Sequence, residues 1–468
     1  MHRLAAILIC GPCLALAQSD GMAHITVNPS QRHQVVQGFG LNFTAPYFRD
    51  DQKAMFDMAI NDLGVTMWRV VPYLIYSNWE ETNDNDDPAV MNWEYYNERY
   101  SGPVFEAAWK ALRYLNSRGA KPILALMGPV PDWMVSKQWT PPKHKVCSPE
   151  SKMPALDPAK YDEFAEMVVS MAVYARRQAG IDFEYFSPFN ETDCYQPEGP
   201  RIDPEEAPKV LAIVARRLVA EGLGDVRLTV ADNAIISSDY TGPILRDEGL
   251  MKQVAALAVH DYGDGSVAPH VTRARESKFP QTPVWLTEYG DLNDLDRSAA
   301  NDWKNYSLLA NRRALRALND GAQAIFYFDL FDDYEECARR ETYYGLFSSA
   351  GHVYTPRKRY FATRQLYHFV RPGAQRIAAT VDSNAFTVSA FLDRTSGSAV
   401  IVGVKEGGPN DVAMDLSGAS VPSWDLWVTT RDLNCTKLAP VPAPGGRVRM
   451  TLPDQAVFTL VGKLDQLD

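Results

Sequence analysis

Cysteine is scarce in this chain. Of 6 cysteines in 468 residues, four lie beyond the N-terminal segment, and these four are widely spaced with no CxxC pair among them: Cys147, Cys194, Cys337 and Cys435. This spacing excludes a small disulfide scaffold and a zinc site built on CxxC motifs. The chain therefore depends on an ordinary hydrophobic core, for which 46% hydrophobic residues are sufficient.

Positive charge is also in deficit. The 47 Lys and Arg residues are outnumbered by 58 Asp and Glu residues, which gives a net charge of −11. Nucleic acid and anionic membrane surfaces attract basic proteins, so we expect neither as a partner. Neutral or cationic substrates are favoured.

A long uninterrupted apolar run is missing as well. The N-terminal segment MHRLAAILICGPCLALAQSD has a basic start, an apolar run broken by Gly11 and Pro12, and then ALA before polar residues. A membrane-spanning helix needs about 20 apolar residues. The segment is typical of a secretory signal peptide cleaved near Ala17, which predicts a secreted or periplasmic protein. A lipoprotein anchored through Cys10 or Cys13 is a minor alternative.

Eight short apolar runs recur along the chain and alternate with stretches of helical periodicity. The runs are residues 35–40, 65–71, 122–128, 184–190, 226–232, 257–262, 284–289 and 324–329. Apolar strands that alternate with helices indicate a parallel sheet covered by helices, and eight such units in about 250–300 residues predict a closed (β/α)8 TIM barrel. An open doubly wound sheet is the alternative, but no Gly-rich phosphate loop supports it.

After residue 373 the pattern changes to short runs of alternating hydrophobicity, such as NAFTVSAFL and QAVFTLVG, separated by Gly, Pro, Asp and Ser. This pattern predicts a C-terminal antiparallel β-sandwich. We therefore divide the chain into a signal peptide (1–17), an N-terminal strand of the side β-domain (18–34), the barrel (35–373) and the side domain (374–468).

Cysteine pairing is predicted from this arrangement. Export would place the chain in an oxidising compartment, where one or two disulfides are compatible with the fold. We expect Cys147 to pair with Cys194, because both would lie in loops at the same end of the barrel. Buried free thiols are the alternative.

Polar residues cluster where the predicted barrel strands end. Six of the eight runs contribute Arg69, Asn190, Glu191, Asp232, Asn233, His260, Tyr262, Glu288, Tyr289 and Asp329. The C-terminal strand ends of a (β/α)8 barrel point into one shared site. Glu191 and Glu288 end the fourth and seventh strands, across the barrel mouth from one another. Retaining glycosidases need two carboxyl groups about 5–5.5 Å apart, which opposite strands of a narrow barrel can supply.

The segment FSPFNETDC (186–194) also has a plainer interpretation. A strand could simply emerge into a loop there, with Asn-Glu-Thr serving as a glycosylation sequon. The remaining motifs favour the chemical interpretation.

Several motifs resemble those of known glycosidases. FNE at the fourth strand and LTE at the seventh resemble the paired motifs of glycoside hydrolase clan A, in which the first Glu is the acid/base and the second the nucleophile. QVVQGFG, GPVPDWM and FVRPGAQRIAAT resemble the first strand, the third-strand loop and the passage into the side domain of glycoside hydrolase family 30. The forms PFNE and GPVPDWM depart from the usual family pattern and leave the subfamily open. The resemblance implies a retaining β-glycoside hydrolase that works by double displacement with two Glu.

The reaction makes distinct demands on the residues at the strand ends. Glu288 must stay ionised to attack the anomeric carbon, and Arg69 and Tyr262 could hold it charged. Glu191 must begin as the protonated acid. Asn190 could donate to the sugar 2-hydroxyl, and His260 would orient a carboxylate or the sugar. For each residue the alternative is a purely structural hydrogen bond.

The loops beyond the strands supply further candidates for substrate binding. Their aromatic residues could stack on sugar rings or simply pack within the loops, and they include Trp79, Trp133, Trp139, Tyr334 and Tyr344. Arg339 and Arg340 follow the eighth strand, in a loop where glucuronoxylan-cleaving members of family 30 hold a uronate carboxylate with a basic residue.

We expect a monomer that needs no metal and no other cofactor and that acts on a β-linked carbohydrate such as a xylan, β-glucan or β-galactan. An exo-acting glucosylceramidase-like β-glycosidase is one alternative. A catalytically inactive carbohydrate-binding protein on the same scaffold is another, but the presence of both Glu residues disfavours it. A metal-dependent barrel hydrolase is disfavoured because the strand ends carry no His-rich cluster.

Overall fold

A closed barrel of eight parallel strands forms the body of the protein. The computed structural model describes residues 21–72, 80–136, 155–194, 198–335, 340–418 and 420–465. A long first strand, β1 (Met22–Val35), belongs to the side domain, and the barrel follows it. The barrel strands are β2 (Gly38–Thr44), β3 (Met67–Val71), β4 (Ile123–Ala125), β5 (Tyr185–Ser187), β6 (Arg227–Asn233), β7 (Val254–Asp261), β8 (Val284–Tyr289) and β9 (Ala324–Tyr327).

Each barrel strand pairs in parallel with the next, and β9 pairs with β2 to close the ring. The predicted (β/α)8 fold is confirmed. All six residues of β8 and all four of β9 are buried, because helices cover one side of the strands and packed side chains fill the other.

Helices surround the barrel. They are α1 (Lys53–Met58), α2 (Trp93–Tyr100), α3 (Pro103–Ser117), α4 (Tyr161–Arg177), α5 (Ala207–Ala220), α6 (Thr241–Arg246), α7 (Ala268–Glu276), α8 (Ala299–Asn301), α9 (Ala310–Asp320) and α10 (Lys358–Tyr367). Two π-helical turns, Ala59–Leu63 and Asp302–Leu309, extend α1 and join α8 to α9. Short 3-10 turns complete the helical structure at Ala45–Tyr47, Asp50–Gln52, Asp132–Met134, Pro158–Lys160, Leu250–Lys252, Ala350–His352 and Pro444–Gly446.

Local sequence explains where these helices begin and end. Pro103 is the first residue of α3, a position that suits its fixed φ and missing N–H. α9 is followed directly by Gly321, whose φ of 112° is the left-handed conformation that closes many helices. No helix within the described parts of the chain has the length and apolar character required to cross a membrane.

The side domain is one continuous sheet. Small hairpins formed by β10 (Tyr334–Glu335), β11 (Arg340–Glu341), β12 (Phe347–Ser348) and β13 (Thr355–Pro356) precede it. Its strands are β1, β14 (Gln375–Val381), β15 (Phe386–Asp393), β16 (Ser398–Glu406), β17 (Asp411–Leu416), β18 (Ser423–Thr429), β19 (Thr436–Lys437), β20 (Val441–Pro442), β21 (Arg447–Thr451) and β22 (Gln455–Lys463). The strand order is β19-β18-β22-β16-β15-β14-β1-β17-β21, with β20 also on β18. This curled and mostly antiparallel sheet encloses its own hydrophobic core.

Strand β1 lies in the interior of that sheet. It pairs antiparallel with β14 and parallel with β17, so both of its edges are hydrogen-bonded. Ala23, Ile25 and Val27 point into the side-domain core and are at most 1% exposed.

Polar contacts join the sheet to the barrel helices. Gln365 of α10 donates to Thr429 Oγ1 (2.9 Å), and Thr459 donates to the Gln365 carbonyl (2.6 Å). Ser389 donates to Asn319 of α9 (2.8 Å). Asn319 is half-buried and the other four residues are buried, so separating the two parts would break hydrogen bonds that are largely shielded from water.

We predict that the barrel cannot be produced without the side domain. A chain that ends at residue 373 would lose β14 and β17, leaving both edges of β1 and the apolar face of Ile25 exposed. Size-exclusion chromatography should show this truncation as aggregates, while the full-length chain elutes as a single folded species. A truncated barrel that stays monomeric and folded would contradict the prediction.

Candidate active site

Arg69 is the centre of the polar cluster at the strand ends. It lies in β3, and its side chain is 0% exposed. Its Nη1 donates to Glu288 Oε1 (2.6 Å) and to Asn42 Oδ1 (3.0 Å). Its Nη2 donates to Asn190 Oδ1 (2.7 Å) and lies 3.3 Å from Asp232 Oδ2. One guanidinium thus fixes groups from β2, β6, β8 and the end of β5.

Glu288 has a partner for each of its carboxylate oxygens. Oε1 accepts from Arg69, and Oε2 accepts from the Tyr262 hydroxyl at 2.5 Å. Burial and the nearby Glu288 charge raise the pKa of Tyr262 well above its usual value, so the phenol remains a neutral donor. The Glu288 side chain is 4% exposed, and these two donors fix the orientation of its carboxylate.

His260 lies between three carboxylates. Its Nδ1 is 2.8 Å from Glu191 Oε1 and 3.7 Å from Glu288 Oε2, and its Nε2 is 3.4 Å from Asp232 Oδ1. Burial acts to lower the pKa of His260, but the Glu288 charge and the nearby Asp232 and Glu191 carboxylates outweigh it and raise the pKa to about 10. The imidazole is therefore protonated at neutral pH.

The two glutamates face each other closely. One carboxylate oxygen of Glu191, one of Glu288 and a His260 ring nitrogen all lie within 4.8 Å of one another. Two carboxylates and an imidazole are also a possible set of metal ligands. A metal would have to displace the proton that the surrounding carboxylates favour on the His260 imidazole, which opposes that role. The same spacing suits two carboxyl groups that act on one substrate atom.

Two members of the cluster were not among the predicted site residues. Asp232 belonged to the strand-end residues without an assigned role, and it proves to contact both Arg69 and His260. Asn42 lies beyond the predicted run 35–40, in a strand that continues to Thr44, and it donates to the Thr287 carbonyl (3.0 Å). The sequence feature that could have pointed to Asn42 is the presence of an Asn within an otherwise apolar run.

Three other strand-end residues do not join the cluster. Asn233 donates to the Ile235 carbonyl (2.8 Å) and shapes the loop after β6. Tyr289 is buried and its hydroxyl lies 3.1 Å from that of Tyr367. Asp329 is 2% exposed, and burial followed by repulsion from Asp333 raises its pKa well above the usual value.

The remaining predicted binding residues have contacts with other parts of the protein or fall outside the described structure. Trp133 is half-buried, donates to the Glu80 carbonyl (3.1 Å) and lies under the Lys160 ammonium, 5.2 Å from the ring centroid. Tyr334 is in β10, paired with Glu341. Arg340 forms an ion pair of 2.6 Å with Asp294. Predictions that fall outside the described residues concern Trp79, Trp139 and Arg339.

The predicted disulfide also involves a residue outside the described structure. Cys147 and Cys337 lie outside the described residues, so the pairing of Cys147 with Cys194 stays a prediction. Cys435 is a buried thiol in the side domain, and its Sγ is 3.1 Å from Arg364 Nη1.

The chain as a whole is similar to several known proteins. No known protein-family profile matches the chain. A glucuronoxylanase of Bacillus subtilis, XynC, is 24% identical over 471 residues, covering 98% of this chain and 95% of that protein. The xylanase Xyn30A of Clostridium acetobutylicum, a glycoside hydrolase of family 30, superposes with a TM-score of 0.71 at 18% identity, covering 95% of this chain and all of that one. The endo-β1,6-glucanase BT3312 superposes with a TM-score of 0.66 at 19% identity, covering 94% of each chain.

These comparisons confirm the predicted resemblance to clan A and to family 30 in particular. They also support the prediction of a glycosyl hydrolase.

We predict that His260 stabilises the fold in a pH-dependent way. Its pKa is raised from 6.5 to about 10 on folding, so its stabilising effect is complete below pH 6.5 and is lost as the pH rises through 10. The difference in free energy of unfolding between wild type and His260→Gln, measured by urea denaturation, should therefore shrink over that range.

A second buried histidine provides the control. Burial lowers the pKa of His270, so its contribution is lost below pH 6.5 instead. The difference between wild type and His270→Gln should stay constant from pH 6.5 to 10. A constant difference for His260→Gln over the same range would refute the prediction.

Proposed function

We propose that this protein is a retaining β-glycoside hydrolase in which Glu288 is the nucleophile and Glu191 the acid/base. The observation that carries the proposal is the approach of the two carboxylates, whose nearer oxygens lie within 4.8 Å of one another. Retaining enzymes hold their carboxyl groups about 5–5.5 Å apart, whereas inverting enzymes need about 6.5–9.5 Å to admit a water molecule.

The first half of the reaction uses both residues at once. A Glu288 oxygen forms a bond to the anomeric carbon while the bond to the leaving oxygen breaks, and Glu191 gives its proton to that oxygen. Arg69 and Tyr262 each donate to one Glu288 oxygen and would hold the carboxylate in position until it reacts. In the second half, Glu191 removes a proton from water, which attacks the same carbon and releases Glu288.

Asn190 is suited to hold the sugar. Arg69 fixes its side-chain oxygen, and its Nδ2 is buried with no hydrogen-bond partner in the described part of the chain. An amide N–H left unpaired in this position supports a role as donor to the sugar 2-hydroxyl, a bond that strengthens as positive charge develops on the ring.

The substrate is proposed from the relatives. Those reported above are named as a glucuronoxylanase, a xylanase and an endo-β1,6-glucanase, so we propose a β-linked polysaccharide or its oligosaccharides as the substrate. Export through a leader at residues 1–17 would bring the enzyme, as a monomer, to such polymers. The rival function, sugar binding without catalysis, is disfavoured because the residues that would orient both carboxylates are in place.

We predict that the two glutamates can be distinguished by azide rescue. Wild type is first tested on xylans, β-1,6-glucan, β-galactan and aryl β-glycosides to find an accepted aryl glycoside. Glu191→Ala should still form the glycosyl-enzyme from a substrate with an activated leaving group, because such a group hardly needs protonation. Azide should then attack this intermediate and yield the β-glycosyl azide.

The matched variant, Glu288→Ala, should lose nearly all turnover, and azide entering the vacated space should give the α-glycosyl azide. The opposite stereochemistry would reverse the two assignments. Wild-type activity in both variants, or a wild type inactive on every substrate of the panel, would overturn the proposed function.

We also predict that a uronate on the substrate is held by Arg339 rather than Arg340. Arg340 already pairs with the buried Asp294 at 2.6 Å, so a substrate carboxylate would have to compete with that contact. Arg339→Ala should lower kcat/KM on glucuronoxylan and leave undecorated xylan unaffected, with Arg340→Ala as the control. Equal losses on the two xylans would exclude a uronate site at Arg339.

A further inference from the structure

The structure assigns a positioning role to Asp232. Resting on the proposed function, we infer that Asp232 holds His260 as a buried imidazolium with its Nδ1 proton directed at Glu191, so that the site stays electrically neutral in both halves of the reaction.

The Asp232 carboxylate is surrounded by four polar or charged groups. Asp232 is 0% exposed, and its carboxylate accepts from Ser187 and from Thr287 (2.5 Å). The same carboxylate lies 3.3 Å from Arg69 Nη2 and 3.4 Å from His260 Nε2. Two neutral donors and two cationic groups therefore surround one carboxylate, which is the arrangement that keeps a buried carboxylate ionised.

Asp232 and His260 each stabilise the charged form of the other. Burial acts to raise the pKa of Asp232, but Arg69 and His260 reverse this effect and hold the pKa well below its usual value. His260 in turn faces Glu191 beyond β5, Asp232 in β6 and Glu288 in β8, and its pKa is raised to about 10. At neutral pH both ring nitrogens carry a proton, one facing Asp232 and the other facing Glu191.

The backbone also ties Asp232 to the acid/base. The N–H of Glu191 donates to the Asp232 carbonyl at 2.8 Å. Glu191 and Asp232 have φ values of 45° and 52°, a left-handed conformation that non-glycine residues seldom adopt. Two such residues joined by a hydrogen bond indicate that their relative position is enforced at a cost in backbone strain.

The charges of the free enzyme cancel. Arg69 and His260 contribute two positive charges, and Asp232 and Glu288 contribute two negative ones. Glu191 must be protonated and neutral to act as the acid, so the resting site has no net charge. A buried site without net charge avoids the large desolvation penalty of an uncompensated ion.

The charges cancel again in the glycosyl-enzyme. Glu288 is then an ester and carries no charge, while Glu191 has given up its proton and is negative. Arg69 and His260 now balance Asp232 and Glu191. The proton on His260 Nδ1 lies 2.8 Å from Glu191 Oε1, where it stabilises the carboxylate that forms as the leaving oxygen is protonated.

Asp232→Asn tests this inference because it removes the charge and keeps the shape. Without the anion, His260 and Glu191 together lose a proton at lower pH, so the alkaline limb of kcat/KM should move down by about one pH unit or more. At pH 8 we expect about a tenfold loss or more on phenyl β-glycosides, which need protonation, and at most about a twofold loss on dinitrophenyl β-glycosides. The dependence of kcat/KM on the pKa of the leaving group should thus become steeper.

Ser187→Ala is the matched control, since it removes a hydrogen bond to the same carboxylate without changing its charge. Its alkaline limb and leaving-group dependence should move in the same direction as those of Asp232→Asn but by much less, because the carboxylate keeps its charge and its contacts with Arg69 and His260. His260→Gln should reproduce the steep leaving-group dependence, and adding Asp232→Asn to it should steepen the dependence no further, because Asp232 acts through His260.

If the single Asp232→Asn variant fails to fold, the comparison of His260→Gln with the double variant still tests the inference. The double variant loses one positive and one negative charge together, so the charge balance of the buried site is kept. Wild-type pH and leaving-group profiles in Asp232→Asn, or an additive effect in the double variant, would overturn the inference while leaving the proposed function intact. An inactive wild type would instead remove the proposed function itself.

Discussion

A single buried cation organises the strand ends of this barrel. Arg69 is 0% exposed and lies among groups from three other strands and from the segment that follows β5, and two of those groups are carboxylates. Desolvating a guanidinium is costly, and only close contacts of this kind compensate for it. The positions of Glu288, Asp232 and Asn190 are therefore mutually dependent, because a change in any of them alters how the shared Arg69 guanidinium is held.

This dependence explains which parts of the site could be predicted from sequence. The strands were identified because both of their sides are buried, which produces continuous apolar runs such as VWLTEY. Glu191, Glu288, Arg69 and His260 stood out as polar residues at the ends of those runs. The role of Asp232 was not predictable in this way, because it depends on distances across the barrel between side chains that are far apart in sequence.

Loop residues are harder to assign from sequence for a related reason. Aromatic residues in loops serve packing and binding equally, and sequence spacing does not separate the two uses. Trp133 illustrates this, since its indole N–H is bound to the Glu80 carbonyl and its ring packs under Lys160. The side domain was recognised from its alternating runs, but their assembly into one curled sheet follows from long-range pairing that alternation does not specify.

The placement of β1 has a consequence for the order of folding. Ile25 lies opposite Val381 on one side and Met414 on the other, so the first strand of the chain finds its partners only near the chain's end. Closing a loop of that length carries an entropic cost, and contacts so distant in sequence form late. The barrel strands between them can pair with their neighbours earlier, whereas β1 stays an unpaired apolar segment until the last hundred or so residues are available. Completion of the side sheet is thus the step that closes the molecule.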